Sequence, residues 1–283
     1  MTIQACVAAA SGRLQLAGLS PAEADLSARV LAEHVLGWET AALLSAAHDT
    51  APDGFRDRYE PLVARRAARE PLPYITGSRE FWGLDFEVSP AVLIPRPESE
   101  LIVEASLDAL PPGGHAHIAD ACTGSGILAV SLARERPGAS VVATDISAEA
   151  LEVARRNAAR HLVAGRVALV RGDLLTPVAG PFELIVCNPP YVAETAQPAL
   201  QPEVRDHEPA IAIFGGADGL QLLARMIRQA PSRLTPGGFL IFEFGFGQDV
   251  QIEELIAASP GLELAGFRRD LQGIARTCIA RRT

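Results

Sequence analysis

One short stretch combines side chains that could bind a ligand. It consists of Asn188, Pro189, Pro190 and Tyr191 and follows the apolar run LIVC at positions 184–187. A proline has no backbone N–H, so a turn with two prolines offers carbonyl oxygens and almost no donors. The side-chain oxygen of Asn188 adds an acceptor, and Tyr191 adds a flat aromatic face. This set suits a planar group that bears –NH₂, which donates two hydrogens and stacks. Accepting both hydrogens would direct the nitrogen lone pair towards an electrophile.

A glycine-rich turn, DACTGSG at positions 120–126, is the second candidate. Glycines let a ligand approach the backbone closely, and the N–H groups at the start of the following helix face that ligand. Asp145 lies nineteen residues after Gly126, where a carboxylate can accept from both hydroxyls of a ribose. The glycine order lacks the GxGxxG pattern of a pyrophosphate cradle. We therefore expect a ribose-bearing ligand without pyrophosphate, bound by Cys122, Thr123, Gly124, Ser125, Gly126 and Asp145.

Asp173 and Leu174 follow the next predicted strand, RVALVRGD at 166–173. We expect Asp173 to accept a hydrogen bond from the amino group of an adenine, and Leu174 to pack against its ring. Taken alone, Asp173 is better explained as a turn or capping residue.

A metal site is not expected. His115 and His117 stand two apart on one strand, a spacing that can bind metal, but no second cluster converges on them. The four cysteines are far apart and form no CxxC pair, which disfavours a zinc site or a disulfide framework. This use of cysteine is typical of a reducing cytosol.

The elements that must position these residues divide the chain in two. Residues 1–76 follow a helical pattern, in which Ser20 before Pro21 is a predicted N-cap and Gly37 a predicted helix end. The stretch REFWGLDFEVSP predicts a β-hairpin within a connecting segment, 77–96. Residues 97–283 then alternate between strands and helices, which predicts an α/β domain with a mainly parallel sheet. The predicted strands are HAHIADA, ASVVATD, RVALVRGD, FELIVC, GFLIFEF, LELAGFRRD and IARTCIARR, and the predicted helices are SGILAVSLARER, SAEALEVARRNAARH and GLQLLARMIRQAP. The helical region carries no catalytic cluster, so we expect it to serve recognition.

Composition narrows the class of protein further. The chain has 283 residues, 48% of them hydrophobic, and a net charge of −9 with arginine as its only basic residue besides histidine. An acidic chain is poorly suited to loose binding of nucleic acid, whose affinity depends on basic side chains. No run is long and apolar enough for a membrane span, and the N-terminus is a poor signal peptide. We expect a cytoplasmic protein that binds neither membrane nor nucleic acid.

Together, CTGSG, the strand ending at Asp145 and NPPY resemble S-adenosylmethionine-dependent methyltransferases that modify amide or exocyclic amino nitrogens. Further segments resemble the release-factor glutamine methyltransferase family, and the likeness covers nearly the whole chain. They are HVLGWETAALL, PLPYITGSREFWGLDFEVSPAVLIPRPESE, PEVRDHEPAIAIFGGADGL and RRDLQGIARTC. One departure is Cys122, where many members of the family carry glycine. That residue restricts the φ angle of the turn.

The resemblance implies a Rossmann-like class I methyltransferase sheet at 97–283, joined by the hairpin to a small N-terminal helical domain that recognises the substrate. It implies S-adenosylmethionine as cofactor and, as substrate, the Gly-Gly-Gln glutamine of class 1 peptide chain release factors. A monomer is expected, and positions 95–100 are expected to close over the site. The catalytic residues would be Asn188, Pro189 and Tyr191, the substrate would be bound by Asn188, Pro189, Pro190 and Tyr191, and Asn188 would also contact the cofactor.

Three alternatives remain open at the level of sequence. A ribosomal-protein glutamine methyltransferase is the nearest, although FWG and LIPRPESE disfavour it. An adenine-N6 methyltransferase on nucleic acid shares NPPY but is disfavoured by the acidic charge. A cofactor-binding interaction protein without catalysis belongs to a different class, and the intact NPPY motif argues against it. A turn that merely ends a strand is the alternative for NPPY itself, since Asn-Pro and Pro-Pro are common in loops.

Overall fold

The computed structural model describes residues 1–283. Its helices are α1 (Ile3–Leu16), α2 (Pro21–Leu36), α3 (Thr40–Ser45), α4 (Phe55–Ala67), α5 (Leu72–Thr76), α6 (Glu100–Ala109), α7 (Ile127–Glu135), α8 (Ala148–Arg160), α9 (Pro202–His207), α10 (Gln221–Gln229) and α11 (Asp249–Ala257). Its strands are β1 (Ser78–Phe81), β2 (Leu84–Glu87), β3 (His117–Ala121), β4 (Ser140–Asp145), β5 (Val167–Arg171), β6 (Phe182–Cys187), β7 (Leu234–Glu243), β8 (Leu262–Arg269) and β9 (Ala275–Arg282). The chain forms two compact units, one of residues 1–77 with 201–207 and one of residues 78–200 with 208–283.

The first unit is helical. Ser20 caps α2 by accepting from the backbone N–H of Glu23, and Gly37 ends that helix in the left-handed conformation. Its core includes the stacked rings of Phe55 and Tyr59, and the Tyr59 hydroxyl donates to the carbonyl of Ala28. Helices α1 and α5 lie in the region predicted to be helical, but they were not singled out from the sequence. The α1 residues IQACVAAASGRLQL include many small side chains, so the apolar stripe that usually reveals a helix is weak there.

Residues 201–207 belong to this helical unit although they lie far along the chain. The carboxylate of Glu203 accepts from Arg66 at 2.9 Å and from Arg69 at 2.7 Å. Arg66 is only 3% exposed, and Glu23 pairs with the same guanidinium. A buried charge is tolerated when it is paired and hydrogen-bonded, so these contacts explain why the segment is held here.

The second unit is built on a seven-stranded sheet in the order β5-β4-β3-β6-β7-β9-β8. The five strands β3 to β7 run parallel, while β9 is antiparallel to both β7 and β8. The chain adds strands first on one side of β3 and then on the other, beginning with β6. This reversal creates a crevice at the carboxyl ends of β3 and β6, where open α/β sheets bind ligands.

This architecture confirms the predicted fold class, including the β1–β2 hairpin with its turn at Trp82 and Gly83. Buried side chains cover both faces of the sheet, as expected for parallel strands packed between helices. Helices α6, α9 and α11 were not predicted. No helix of the protein has the length and apolar character needed to cross a membrane.

Candidate active site

A cavity lies at the carboxyl ends of β3, β4, β5 and β6, where the strand order reverses. Of the residues predicted to bind a ligand, its wall contains Cys122, Thr123, Gly124, Ser125, Asp145, Asp173, Leu174, Asn188 and Pro190. Gly126, Pro189 and Tyr191 do not line it. The two halves of the wall meet because Ala121 of β3 and Cys187 of β6 are paired neighbours in the sheet.

The glycine-rich turn is shaped by three residues in left-handed conformations: Cys122 at φ 58°, Gly124 at φ 55° and Gly126 at φ 84°. A Cβ on Gly124 would meet no atom within 4 Å, so this part of the turn faces open space. A Cβ on Gly126 would lie 3.2 Å from that of Ala154, so α8 needs the glycine for its close packing. Cys122 pays a conformational cost of about 1 kcal/mol for its φ angle, which glycine would not. The open space at Gly124 leaves room for a ligand to approach the turn closely.

Asp145 stands in the cavity beside this turn. Its Oδ2 accepts from the backbone N–H of Gly124 and its Oδ1 from that of Ser147, both at 2.9 Å. Burial raises the pKa of Asp145, and the backbone donors oppose that rise. Each carboxylate oxygen can accept more than one hydrogen bond, so both remain able to accept from hydroxyls. With Ile146 and Leu174 on the same wall, the site fits a nucleoside: acceptors for its ribose and apolar surface for its base.

Asp173 also faces the cavity, but its Oδ2 forms an ion pair with Arg225 of α10. Sequence reasoning did not identify Arg225, because α10 is separated from β5 by β6 and the connecting loops. The ion pair leaves Oδ1 of Asp173 to accept from a ligand amino group. Leu174 has a φ angle of 49°, and its backbone carbonyl accepts a hydrogen bond from the hydroxyl of Thr144.

The NPPY turn is anchored by a buried network of side chains. Asn188 donates from Nδ2 to Ser99 Oγ at 2.8 Å, and Ser99 donates to Glu243 Oε2 at 2.6 Å. The Tyr191 hydroxyl donates to the other oxygen of Glu243 at 2.6 Å. Glu243 is 1% exposed, and burial raises its pKa while the bonds from Ser99 and Tyr191 lower it. Burial and the Glu243 carboxylate raise the pKa of Tyr191, so its phenol is a neutral donor.

The backbone of the same turn is held by the glycine loop at 215–219. A Cβ on Gly215 would lie 2.5 Å from the carbonyl oxygen of Pro190, and one on Gly219 would lie 2.2 Å from that of Tyr191. Gly219 also has a φ of 77°. Only glycine permits these approaches. The loop, part of the sequence FGGADG at 214–219, therefore packs directly against the backbone of the NPPY turn.

The loop before α6 forms another part of the wall, through Pro95 and Arg96. Glu208, almost fully buried, accepts from the backbone N–H of Ile94 at 3.2 Å and from Arg96 at 2.5 Å. The loop is therefore pinned beside the cavity by a residue 112 positions away from Arg96.

Asp120 supports the glycine-rich turn without lining the cavity. Its fully buried carboxylate accepts from the Thr123 hydroxyl at 2.6 Å and from the Ala129 N–H at 3.1 Å, both through Oδ2. Its Oδ1 has no partner. Burial raises the pKa of Asp120 to about 7.

We expect Asp120→Asn to remove a pH-dependent loss of stability. The folded protein keeps the Asp120 proton up to about pH 7, whereas the unfolded chain loses it near pH 4, so folding binds a proton between these limits. The free energy of unfolding therefore falls as pH rises through this window, by up to about 4 kcal/mol. Urea unfolding of the native protein and of the Asp120→Asn variant, from pH 4 to pH 8, measures this free energy. The asparagine variant should gain relative stability with rising pH, and parallel curves would contradict the expectation.

Comparison of the sequence with family models gives two matches. Residues 6–77 match the PrmC N-terminal domain, and residues 99–204 match the methyltransferase small domain.

Curated relatives match almost end to end. A protein of Bradyrhizobium diazoefficiens named release factor glutamine methyltransferase is 41% identical over 275 residues, which cover 96% of this chain and 92% of the relative. A protein of the same name from Nitratidesulfovibrio vulgaris is 42% identical over 270 residues, covering 93% and 91%.

Solved structures support the fold alone. A methyltransferase from Pyrococcus furiosus superposes with a TM-score of 0.54 at 21% identity, covering 80% of this chain and 98% of its own. The 16S rRNA N2 G1207 methyltransferase of T. thermophilus, solved in complex with AdoMet and guanosine, superposes with a TM-score of 0.52 at 19% identity. The superposed residues cover 73% of this chain and 50% of the rRNA methyltransferase chain.

Proposed function

The chain belongs to the release factor glutamine methyltransferase family, and we propose that its substrate is the Gly-Gly-Gln glutamine of class 1 peptide chain release factors. The chain is a glutamine methyltransferase that uses S-adenosylmethionine. The choice of a release factor is supported by relatives of that name that match over more than nine-tenths of the chain, and the choice of an amide nitrogen is supported by the position of Asn188 on the cavity wall. Because its side-chain nitrogen is bound to Ser99, its oxygen is left to accept from a substrate amide. A release factor as substrate also implies a cytoplasmic setting.

The cofactor would be held by the cavity residues already described. Asp145 would accept from its ribose hydroxyls, Oδ1 of Asp173 from its adenine amino group, and Leu174 would pack against the base. When bound, S-adenosylmethionine supplies an electrophilic methyl group. The chain's own task is then to place a weakly nucleophilic amide nitrogen in line with that group, and alignment of this kind accounts for much of the rate in such reactions.

The NPPY turn would perform this placement. Oδ1 of Asn188 and the carbonyl of Pro189 would accept the two hydrogens of the glutamine –NH₂, and Tyr191, whose ring is fixed by Glu243, would pack beside the amide. As the nitrogen gains positive character, these oxygens stabilise it more than they stabilise the ground state. No side chain needs to act as a nucleophile. Burial and the neighbouring Cys122 raise the pKa of Cys187 well above its usual value, so that thiol is inert.

Transfer of labelled methyl from S-adenosylmethionine tests the substrate. A class 1 release factor with Gly-Gly-Gln should be labelled, and the same protein with that glutamine changed to alanine should not. Label that persists on the alanine protein would contradict the assigned residue. Label on a ribosomal protein or on an adenine-containing duplex, with none on the release factor, would favour the corresponding alternative.

We propose further that the helical unit, residues 1–77 with 201–207, recognises the protein substrate, since it contributes nothing to the wall of the cavity. Adding an intact release factor should slow amide hydrogen exchange on surface helices of residues 1–77. A short Gly-Gly-Gln peptide, which matches the site but lacks a docking surface, is the control and should leave those amides unchanged. Equal exchange with and without the intact release factor, at concentrations that saturate turnover, would contradict this role.

A further inference from the structure

Ser99 ends a short 3₁₀ turn, Pro97–Ser99, that leads directly into α6, and its φ and ψ angles of −68° and −15° are already helical. Its side chain caps no backbone N–H of α6. The hydroxyl is fully buried and is committed to Glu243 Oε2 and Asn188 Nδ2. The hydroxyl therefore has no local role in the helix and serves these two distant partners.

With Glu243 ionised, the order of donors and acceptors in this network has one consistent solution. A carboxylate accepts and cannot donate, so both groups that contact Glu243 must donate to it: Tyr191 to Oε1 and Ser99 to Oε2. The two distances of 2.6 Å are typical of hydroxyls bound to an ionised carboxylate. Ser99 has a single hydrogen, which is used on Glu243. Towards Asn188 it can only accept, and it therefore selects the –NH₂ end of that side chain.

This selection decides which end of Asn188 faces the substrate. The oxygen and nitrogen ends of an asparagine amide have nearly the same shape, so packing alone does not distinguish one orientation from the other. If the amide were reversed, its –NH₂ would meet the –NH₂ of the substrate glutamine, and two donors would face each other. The orientation seen here presents an acceptor instead.

We infer that Ser99 is a positioning residue for Asn188 and that the buried carboxylate of Glu243 determines the direction in which Ser99 acts. The inference rests on the proposed role of Asn188 as an acceptor for the substrate amide. The side-chain hydrogen bonds of Ser99 and Glu243 join the two residues to each other, to Asn188 and to Tyr191, so both act through the residues of the NPPY turn.

A double-mutant cycle tests the role of Ser99. Ser99→Ala should lower kcat about 10- to 100-fold, while KM for the release factor and the dissociation constant of S-adenosylmethionine change less than threefold. In an Asn188→Ala background the same substitution should cost less than twofold, because the group that Ser99 orients is gone. Ser106→Ala is the matched control, since Ser106 is also a fully buried serine of the α6 region but bonds only to the carbonyl of Ile102. It should leave kcat unchanged.

The outcomes separate this inference from the proposed function. A Ser99→Ala loss that is equally large in both backgrounds would mean a general structural role and would overturn the positioning role. No loss on Ser99→Ala, with a large loss on Asn188→Ala, would overturn it while the proposed function stands. No loss on Asn188→Ala would instead refute the proposed function of that residue. Thermal unfolding gives the midpoint temperature of each variant. Rates are then measured well below that midpoint, so that every variant is folded when its kcat is compared.

Glu243→Gln, made with and without Ser99→Ala, tests the direction-setting role. A glutamine side chain has one acceptor end and one donor end, and the hydroxyls of Ser99 and Tyr191 can each donate or accept, so the introduced amide can meet Ser99 with either end. When its –NH₂ faces Ser99, the Ser99 hydrogen turns to Asn188 and favours the reversed amide. Glu243→Gln should therefore lower kcat at least twofold more in the native background than in the Ser99→Ala background, where no hydroxyl links the two amides. An equal or larger cost in the Ser99→Ala background would overturn the role of Glu243.

Discussion

Asn188→Ala should lower kcat for release-factor methylation by about 10²–10³. Removing one preorganised hydrogen-bonding group from a closed active site has a cost of this order, because water cannot replace it in the same geometry. Two losses combine here: the acceptor for the substrate –NH₂ disappears, and Ser99 loses the partner that it holds at 2.8 Å. The bond between Tyr191 and Glu243 does not involve Asn188 and should persist.

The measurement is single-turnover methylation with labelled S-adenosylmethionine at saturating release factor. Calorimetric titration of the cofactor is the control and should give a dissociation constant within about threefold of the native value, because Asp145 and the glycine-rich turn are untouched. A variant that keeps more than a third of the native rate would remove Asn188 from the catalytic residues. A variant that loses cofactor affinity to the same extent as rate would instead place Asn188 chiefly in the cofactor site.

Asp145→Ala should weaken binding of S-adenosylmethionine by one or two hydrogen bonds to a charged group, each worth about 1.5–3 kcal/mol. A single bond in this range corresponds to roughly a 10- to 150-fold rise in dissociation constant. Asp145→Asn is the matched variant, because it keeps the size of the side chain and one acceptor oxygen but has no charge. Its affinity should fall between those of the native chain and the alanine variant.

Calorimetric titration measures both variants. Asp145 also accepts from the N–H groups of Gly124 and Ser147, so part of the loss can come from a loosened turn. Thermal unfolding without cofactor reports that part separately. An unchanged dissociation constant for Asp145→Ala would exclude the carboxylate from the ribose site.

Much of the fold followed from local patterns. The β3-to-β7 strands, the helices α7, α8 and α10 and the β1–β2 hairpin were all recognisable from hydrophobic periodicity and turn residues. Helix α1 was not, since its apolar stripe is weak. Helices α6 and α11 were missed although their apolar stripes are as strong as those of α7 and α2. Ser99 illustrates the limit, because no local pattern indicates the hydrogen bonds that it forms with Asn188 and Glu243.

The sequence by itself determined which functional groups are available. They are the acceptor-rich NPPY turn, the glycine-rich turn after β3 and the carboxylate of Asp145, and each can be identified from a few adjacent residues. Which atoms face the cavity was decided only by tertiary structure. Asn188 and Ser99 are 89 positions apart, Ser99 and Glu243 are 144 apart, and Asp173 and Arg225 are 52 apart. The physical reason is that a hydrogen bond depends on the direction of donor and acceptor, and partners so distant in sequence acquire a direction only when the sheet brings the ends of β6 and β7 beside α6.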